Sequence, residues 1–127
     1  MLDSKTRALA SGRHFAVLTT LMEDGTPQSH VMWVDHDGDH ILINTEVHRQ
    51  KYLNIRRDPR ATVTIMDSDN GYSYAEIRGT VVGEITGDEA RRHIDEMSQR
   101  YFGKPYQNQV ESERVMLKIR PDREIVH

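Results

Sequence analysis

Two Asp-Gly pairs, Asp24-Gly25 and Asp37-Gly38, punctuate the first third of the chain, and each separates short runs rich in β-forming residues. Such pairs accept the positive φ of tight two-residue turns, whose twist matches that of antiparallel strands. Glu23-Asp24-Gly25 therefore predicts a hairpin between His14–Met22, with Phe15, Val17, Leu18, Thr19 and Thr20, and a return strand Gln28–Val34. Asp37-Gly38 predicts a second hairpin into His40–Thr45. Further on, Arg60–Met66 reads as a strand and Asp67–Gly71 as a loop. Tyr72–Ile85 reads as a long strand bent at Gly79 and Gly83. Gly103–Gln109 reads as a loop, Val110–Ile119 as a strand and Glu124–His127 as a final edge.

Three short helices interrupt this pattern. Asp3 or Ser4 caps the first, with Gly12 as its stop. Arg49–Arg57 forms the second, halted by Pro59. Thr86 or Asp88 opens the third, which runs through Tyr101 and carries Ala90, Ile94, Met97 and Tyr101 at helical spacing. Six or seven hairpin-joined strands with three short helices predict a mainly β (α+β) antiparallel barrel rather than βαβ repeats.

At 127 residues the chain is read as one domain, residues 1–127. Such a length buries roughly two thirds of its unfolded surface, enough for one core. The absence of cysteine excludes disulfides, thiol catalysis and thiolate metal sites, and fits a cytoplasmic protein. No apolar run approaches the ~20 residues of a membrane span. Met1–Lys5 lacks the apolar centre of a signal peptide. A net charge of −3 argues against general nucleic-acid binding. Neither a membrane nor a nucleic acid is expected as a partner.

Against that acidic background Arg49, Lys51, Arg56, Arg57 and Arg60 crowd into twelve positions. Arg49 and Lys51 fall where a strand gives way to a helix, where backbone N–H groups are unpaired and the helix dipole favours negative charge. They are candidates for holding a phosphate. Trp33 is the only tryptophan, and its flat apolar ring suits packing against a cofactor or across an interface. Asp35–His40 has metal-binding residue types, but a hairpin turn explains them. Asp67–Gly71 lacks the spacing of a calcium loop. His30, His48 and His93 show no partner spacing. No serine nucleophile motif, carboxylate pair or metal triad is present, so no catalytic residue and no metal site is assigned. Chemistry borrowed from a cofactor is the reading this leaves open.

One ordered set of segments carries a resemblance. Arg49-Gln50-Lys51 is followed by Asn54-Ile55-Arg56-Arg57-Asp58-Pro59-Arg60-Ala61, with Leu18–Gln28, Trp33–Gly38, Tyr74–Gly79 and Arg100–Tyr106 in support. The set spans nearly the whole chain. It resembles the split β-barrel flavin and deazaflavin oxidoreductases grouped around pyridoxamine 5′-phosphate oxidase, in particular the branch using the deazaflavin coenzyme F420. The resemblance implies a homodimer with a cofactor groove at the subunit boundary and the phosphate on Arg49 and Lys51. It implies a ring system along Gln28, Val31, Met32 and Trp33, with Asn44 and Thr45 donating to ribityl or phosphate oxygens. Arg56, with Arg57 and Arg60, would meet an acidic tail, and Tyr72 and Tyr74 would lie near the ring or the neighbouring subunit. The implied activity is hydride transfer from reduced F420 to a small organic acceptor. FMN is the alternative cofactor, and a non-catalytic module holding a flavin, deazaflavin or haem is the alternative role. A pyridoxamine-phosphate substrate is not expected, because the family's C-terminal substrate-binding extension has no counterpart after Ile119-Arg120-Pro121.

Overall fold

A computed structural model describes residues 1–127. The order is α1 (Ser4–Ser11), β1 (Ala16–Leu21), β2 (Pro27–Met32), β3 (Asp35–His36), β4 (Ile41–Glu46), α2 (Gln50–Arg57), β5 (Arg60–Asp67), β6 (Asn70–Thr86), α3 (Gly87–Phe102) and β7 (Arg114–Val126). The seven strands are antiparallel and lie in the order β2-β1-β5-β6-β7-β4-β3, curled into a split barrel. No helix is long and apolar enough to cross a membrane.

Alternation places one face of each strand inside. Leu18 of β1, Val63 and Ile65 of β5, Ile77 of β6, Ile43 of β4 and Leu117 and Ile119 of β7 are fully buried in one cluster. Leu9 of α1 and Tyr52 and Ile55 of α2 pack against it. β4 is buried on both faces, because α3 covers its other side through Leu42, Ala90 and Met116. That second, covered face matters below, since it also carries Asn44 and Glu46, opposite Met116 and Arg114 of β7.

The curl has a local cause. The β6–β7 pairing shifts register between Arg78 and Gly79 and again between Val81 and Gly83. A β-bulge increases strand twist, and glycine allows the backbones to approach. A Cβ at Gly79 would lie 2.4 Å from the Arg120 carbonyl oxygen and 2.7 Å from Ile119 Cγ2. Gly79→Ala is therefore expected to destabilise the fold by about 1–3 kcal/mol, read as a lower urea midpoint at unchanged slope. An unchanged midpoint would show that the bulge relaxes freely.

Several expectations need correction. β2 ends at Met32, not Val34, and the Asp37-Gly38 hairpin joins the two-residue β3, rather than β2, to β4. Trp33-Val34 thus crosses between opposite edges of the sheet. The loop at Asp67–Gly71 shrinks to a turn, because β6 already starts at Asn70. Val110–Ile119 and Glu124–His127 are not two separate strands. β7 starts only at Arg114 and runs unbroken past Pro121, which sits opposite Gly79 beside the register shift. Gly12 does cap α1, but with φ −94° and ψ −168° it is extended rather than left-handed.

Candidate functional site

The end of β2, the middle of β4, the entry to α2, the covered face of α3 and residues 104–108 surround a cavity of about 520 Å³. That is within the range of small-molecule sites. Its apolar lining includes Phe15, Trp33, Ile94, Met97, Phe102 and Tyr106. Its charged lining is wholly basic: Arg49, Lys51, Lys104 and Arg114.

Lys51 is the most telling residue. Its position in the first turn of α2 points it inward, so it is only 9% exposed. Its ammonium has neither a hydrogen bond nor an ion pair. Burial first, then the charges of Arg49 and Arg114, lowers its pKa from the usual lysine value. Arg49 is the N-cap of α2, and its side chain makes no capping bond; it lies 3.9 Å from Glu46 Oε2.

Arg114 is 7% exposed, and burial lowers its pKa. Its Nε donates to Asn44 Oδ1 at 2.9 Å, one terminal nitrogen is 3.4 Å from Glu46 Oε2, and the guanidinium stands 5.3 Å from the centre of the Tyr106 ring. Glu46 is 1% exposed. Burial would raise its pKa, but the Ser112 and Glu111 N–H groups, each donating to Oε1 at 2.8 Å, and the Arg114 charge bring it below the ordinary value. Three cations thus stand near one another against one buried carboxylate.

A second polar chain braces this group. Asn44 Nδ2 donates to the Ala90 carbonyl at 2.9 Å and to His93 Nδ1 at 3.0 Å. His93 must then carry its proton on Nε2, which donates to Asp35 Oδ2 at 2.9 Å. Arg100 donates to Asp35 Oδ1 at 2.7 Å and to the Ala10 and Val34 carbonyls. Burial would raise the Asp35 pKa, but the His93 and Arg100 hydrogen bonds take it down to about 2.

Of the residues expected from sequence, Val31, Met32, Trp33, Asn44, Thr45, Arg49 and Lys51 all line this one cavity. Gln28, Arg56 and Tyr72 do not. Gln28 accepts a hydrogen bond from Asn54 at 3.1 Å. Arg56 donates to the Tyr52 hydroxyl at 3.2 Å, close to Glu84; five positions from Lys51, it is turned about 140° around the helix. Tyr72 is 92% exposed at the start of β6. Arg57 reaches the Leu21 carbonyl and Arg60 is bidentate to Asp58. Asn44 has both its N–H groups engaged and holds Arg114. Sequence reasoning missed Arg114 and Glu46, named Lys104 and Tyr106 only within the segment Arg100–Tyr106 and the loop Gly103–Gln109, and read Ile94 and Met97 only as helix core.

The chain matches the family model described as pyridoxamine 5′-phosphate oxidase over residues 2–127. It belongs to that family. Among solved structures, an F420 reductase is 28% identical with TM-score 0.84, covering 98% of each chain. A conserved hypothetical protein from Mycobacterium tuberculosis is 26% identical with TM-score 0.77, covering 98% of this chain and 82% of that one. A putative pyridoxamine 5′-phosphate oxidase from Listeria innocua, 22% identical with TM-score 0.69 over 94% and 92%, shares the fold. The family and these neighbours point to an oxidoreductase-type, flavin-binding split barrel.

The residues fit such a group. A desolvated, unpartnered ammonium beside two arginines suits a phosphate, and an aromatic lining suits a flat ring system.

Proposed function

We propose that the chain is an oxidoreductase that binds reduced F420 and directs its hydride to a small organic acceptor. The observation that carries this reading is Lys51, a buried cation that folding leaves unpaired in a cavity whose lining also includes the aromatic rings of Phe15, Trp33, Phe102 and Tyr106. An unpaired buried charge is costly, and a bound anion removes the cost. The 28% identity to an F420 reductase over the full length supports the choice of cofactor.

When bound, the deazaflavin supplies the hydride donor. The chain's own contribution is orientation. Arg49 and Lys51 anchor the phosphate, and Trp33, Val31 and Met32 set the plane of the ring. No histidine, aspartate or glutamate lines the cavity, so no side-chain acid–base group is assigned to the reaction. The same lining would serve FMN, the alternative cofactor, or a module that binds without turnover.

A second copy of the chain completes the groove in this reading. Val17, Val31 and Met66 are exposed on the outer face of neighbouring strands β1, β2 and β5, and Phe15, just before β1, is exposed beside them. A stable dimer should bury at least about 1,000 Å² in total, and light scattering at micromolar concentration reads it directly.

The deciding experiment is a side-by-side fluorescence titration with F420 and FMN. It is followed by loss of the reduced-F420 signal against quinones, tetrapyrroles and nitro compounds. F420 is expected to bind more tightly. Its acidic tail can meet Lys104 at the cavity, in place of Arg56, Arg57 and Arg60, which are engaged elsewhere. Exposed pairs contribute only ~0.2–1 kcal/mol each and weaken with salt, so the preference should shrink as ionic strength rises. Tighter FMN binding makes the cofactor a flavin. Tight binding with no turnover makes the chain a carrier.

A further inference from the structure

We propose that Arg114 is a third phosphate contact, joining Arg49 and Lys51, and that Glu46 and Asn44 are positioning residues that aim its guanidinium at the ligand. The inference deepens the reading above by naming a residue and a charge for the same site.

Burying a guanidinium to 7% exposure calls for full compensation, and Arg114 has only part of it. Asn44 takes Nε with a neutral oxygen, and the Glu46 carboxylate stands at 3.4 Å, longer than a close charge-assisted bond. Glu46 must also serve the Glu111 and Ser112 N–H groups and Arg49. Three cations against one carboxylate leave an excess of two positive charges, 3 − 1 = 2, counting Arg49, Lys51, Arg114 and Glu46. Without a ligand these cations repel one another. A phosphoryl ligand carrying two negative charges balances them. A phosphomonoester dianion does so alone, and a phosphodiester does so with a carboxylate beside it.

The placement of Arg114 is not an accident of the surface. It faces Glu46 across the β4–β7 pair, its ring partner Tyr106 comes from the segment that lines the cavity, and Asn44 is itself locked by Ala90 and His93. A planar guanidinium held at one edge by Asn44 and standing 5.3 Å over an aromatic ring presents its remaining edge in a restricted direction. Lysine at this position would keep the charge but lose both restraints.

The test uses Arg114→Gln, Arg114→Lys and the double variant Glu46→Gln/Arg114→Gln, which removes both charges and so avoids stranding Glu46. The first arm is inorganic phosphate against chloride at matched ionic strength, read as a rise in Tm. The wild type should be raised by phosphate, and the double variant, which keeps Arg49 and Lys51 but lacks the third contact, should be raised less. The second arm compares FMN with riboflavin, which has the same ring and no phosphate. Loss of Arg114 should weaken FMN by about tenfold to 150-fold and leave riboflavin unchanged. Arg114→Lys should recover only part of the loss. No specific phosphate effect on the wild type, or equal losses for FMN and riboflavin, would overturn the assignment and make Arg114 a structural partner of Glu46. Phosphate stabilisation without binding of either F420 or FMN would keep the assignment and sink the proposed function. Tighter binding of the F420 phosphodiester than of FMN identifies the diester as the preferred source of the charge.

Discussion

Asp35→Ala is expected to lower the unfolding free energy by about 3–5 kcal/mol, the cost of removing one partner from a buried charged cluster. The carboxylate accepts from His93 and Arg100, whose side chains are 6% and 26% exposed. Its loss leaves the Arg100 charge without its carboxylate and the His93 N–H without an acceptor. It also loosens the tie between β3 and α3, and with it the wall of the cavity. Asp35→Asn keeps the shape and one acceptor and should cost less. Urea unfolding of both variants checks the order. A loss under about 1 kcal/mol in the alanine variant would mean that water replaces the carboxylate.

The same residue predicts a pH dependence. Its folded pKa of about 2 lies below the ordinary 3.8. A depressed carboxylate stabilises the fold above the unfolded value, and that contribution is lost as pH falls through the folded value. The wild type should therefore lose about 2 kcal/mol between roughly pH 4 and pH 2 from this group. Asp35→Ala should lack this part of the acid slope. An identical slope in both proteins would remove Asp35 as its source.

Local chemistry made some of the fold legible and left the rest obscure. The turns at Gly25 and Gly38 and the bends at Gly79 and Gly83 follow from single residues, and each is where the sequence places it. The apolar stripe of α3 follows from period, and Ala90, Ile94, Met97 and Tyr101 are all buried. What could not be read is which strands pair across the barrel. Gln28–Val34 looks like one strand because nothing in Trp33-Val34 shows that it must change edges. The continuity of β7 through Pro121 depends on a glycine in another strand.

The site divides along the same line. Arg49 and Lys51 stand out because a strand-to-helix junction is visible locally. Arg56, Arg57 and Arg60 look equivalent in sequence, but the turn of the helix takes them elsewhere. Arg114 meets Glu46, and His93 meets Asp35, only through long-range contacts, with separations of 68 and 58 residues. No spacing rule reaches that far. All that the sequence shows there is an arginine at the head of the run Val115-Met116-Leu117.

Lys51→Met is expected to weaken phosphate-bearing cofactor binding tenfold to 150-fold, the loss of about 1.5–3 kcal/mol of charge-assisted hydrogen bonding, while making the free protein more stable. The two signs together test the functional reading. If the lysine served the fold, its removal would destabilise. Instead its ammonium is desolvated, has no partner and faces Arg49 and Arg114, all of which push its pKa down. A cation with a depressed folded pKa costs stability wherever it is still charged, and that cost fades as pH rises through the folded value. Methionine keeps the length and the packing without the charge. Stability should rise by about 0.5–2 kcal/mol near neutral pH, the usual size of a stabilising substitution. The gain should shrink at alkaline pH, as the wild-type lysine loses its proton. Urea unfolding across pH measures the first effect, and cofactor titration measures the second. A Met variant that binds as well as the wild type would separate Lys51 from the anion. One that is less stable would show a structural partner for the ammonium.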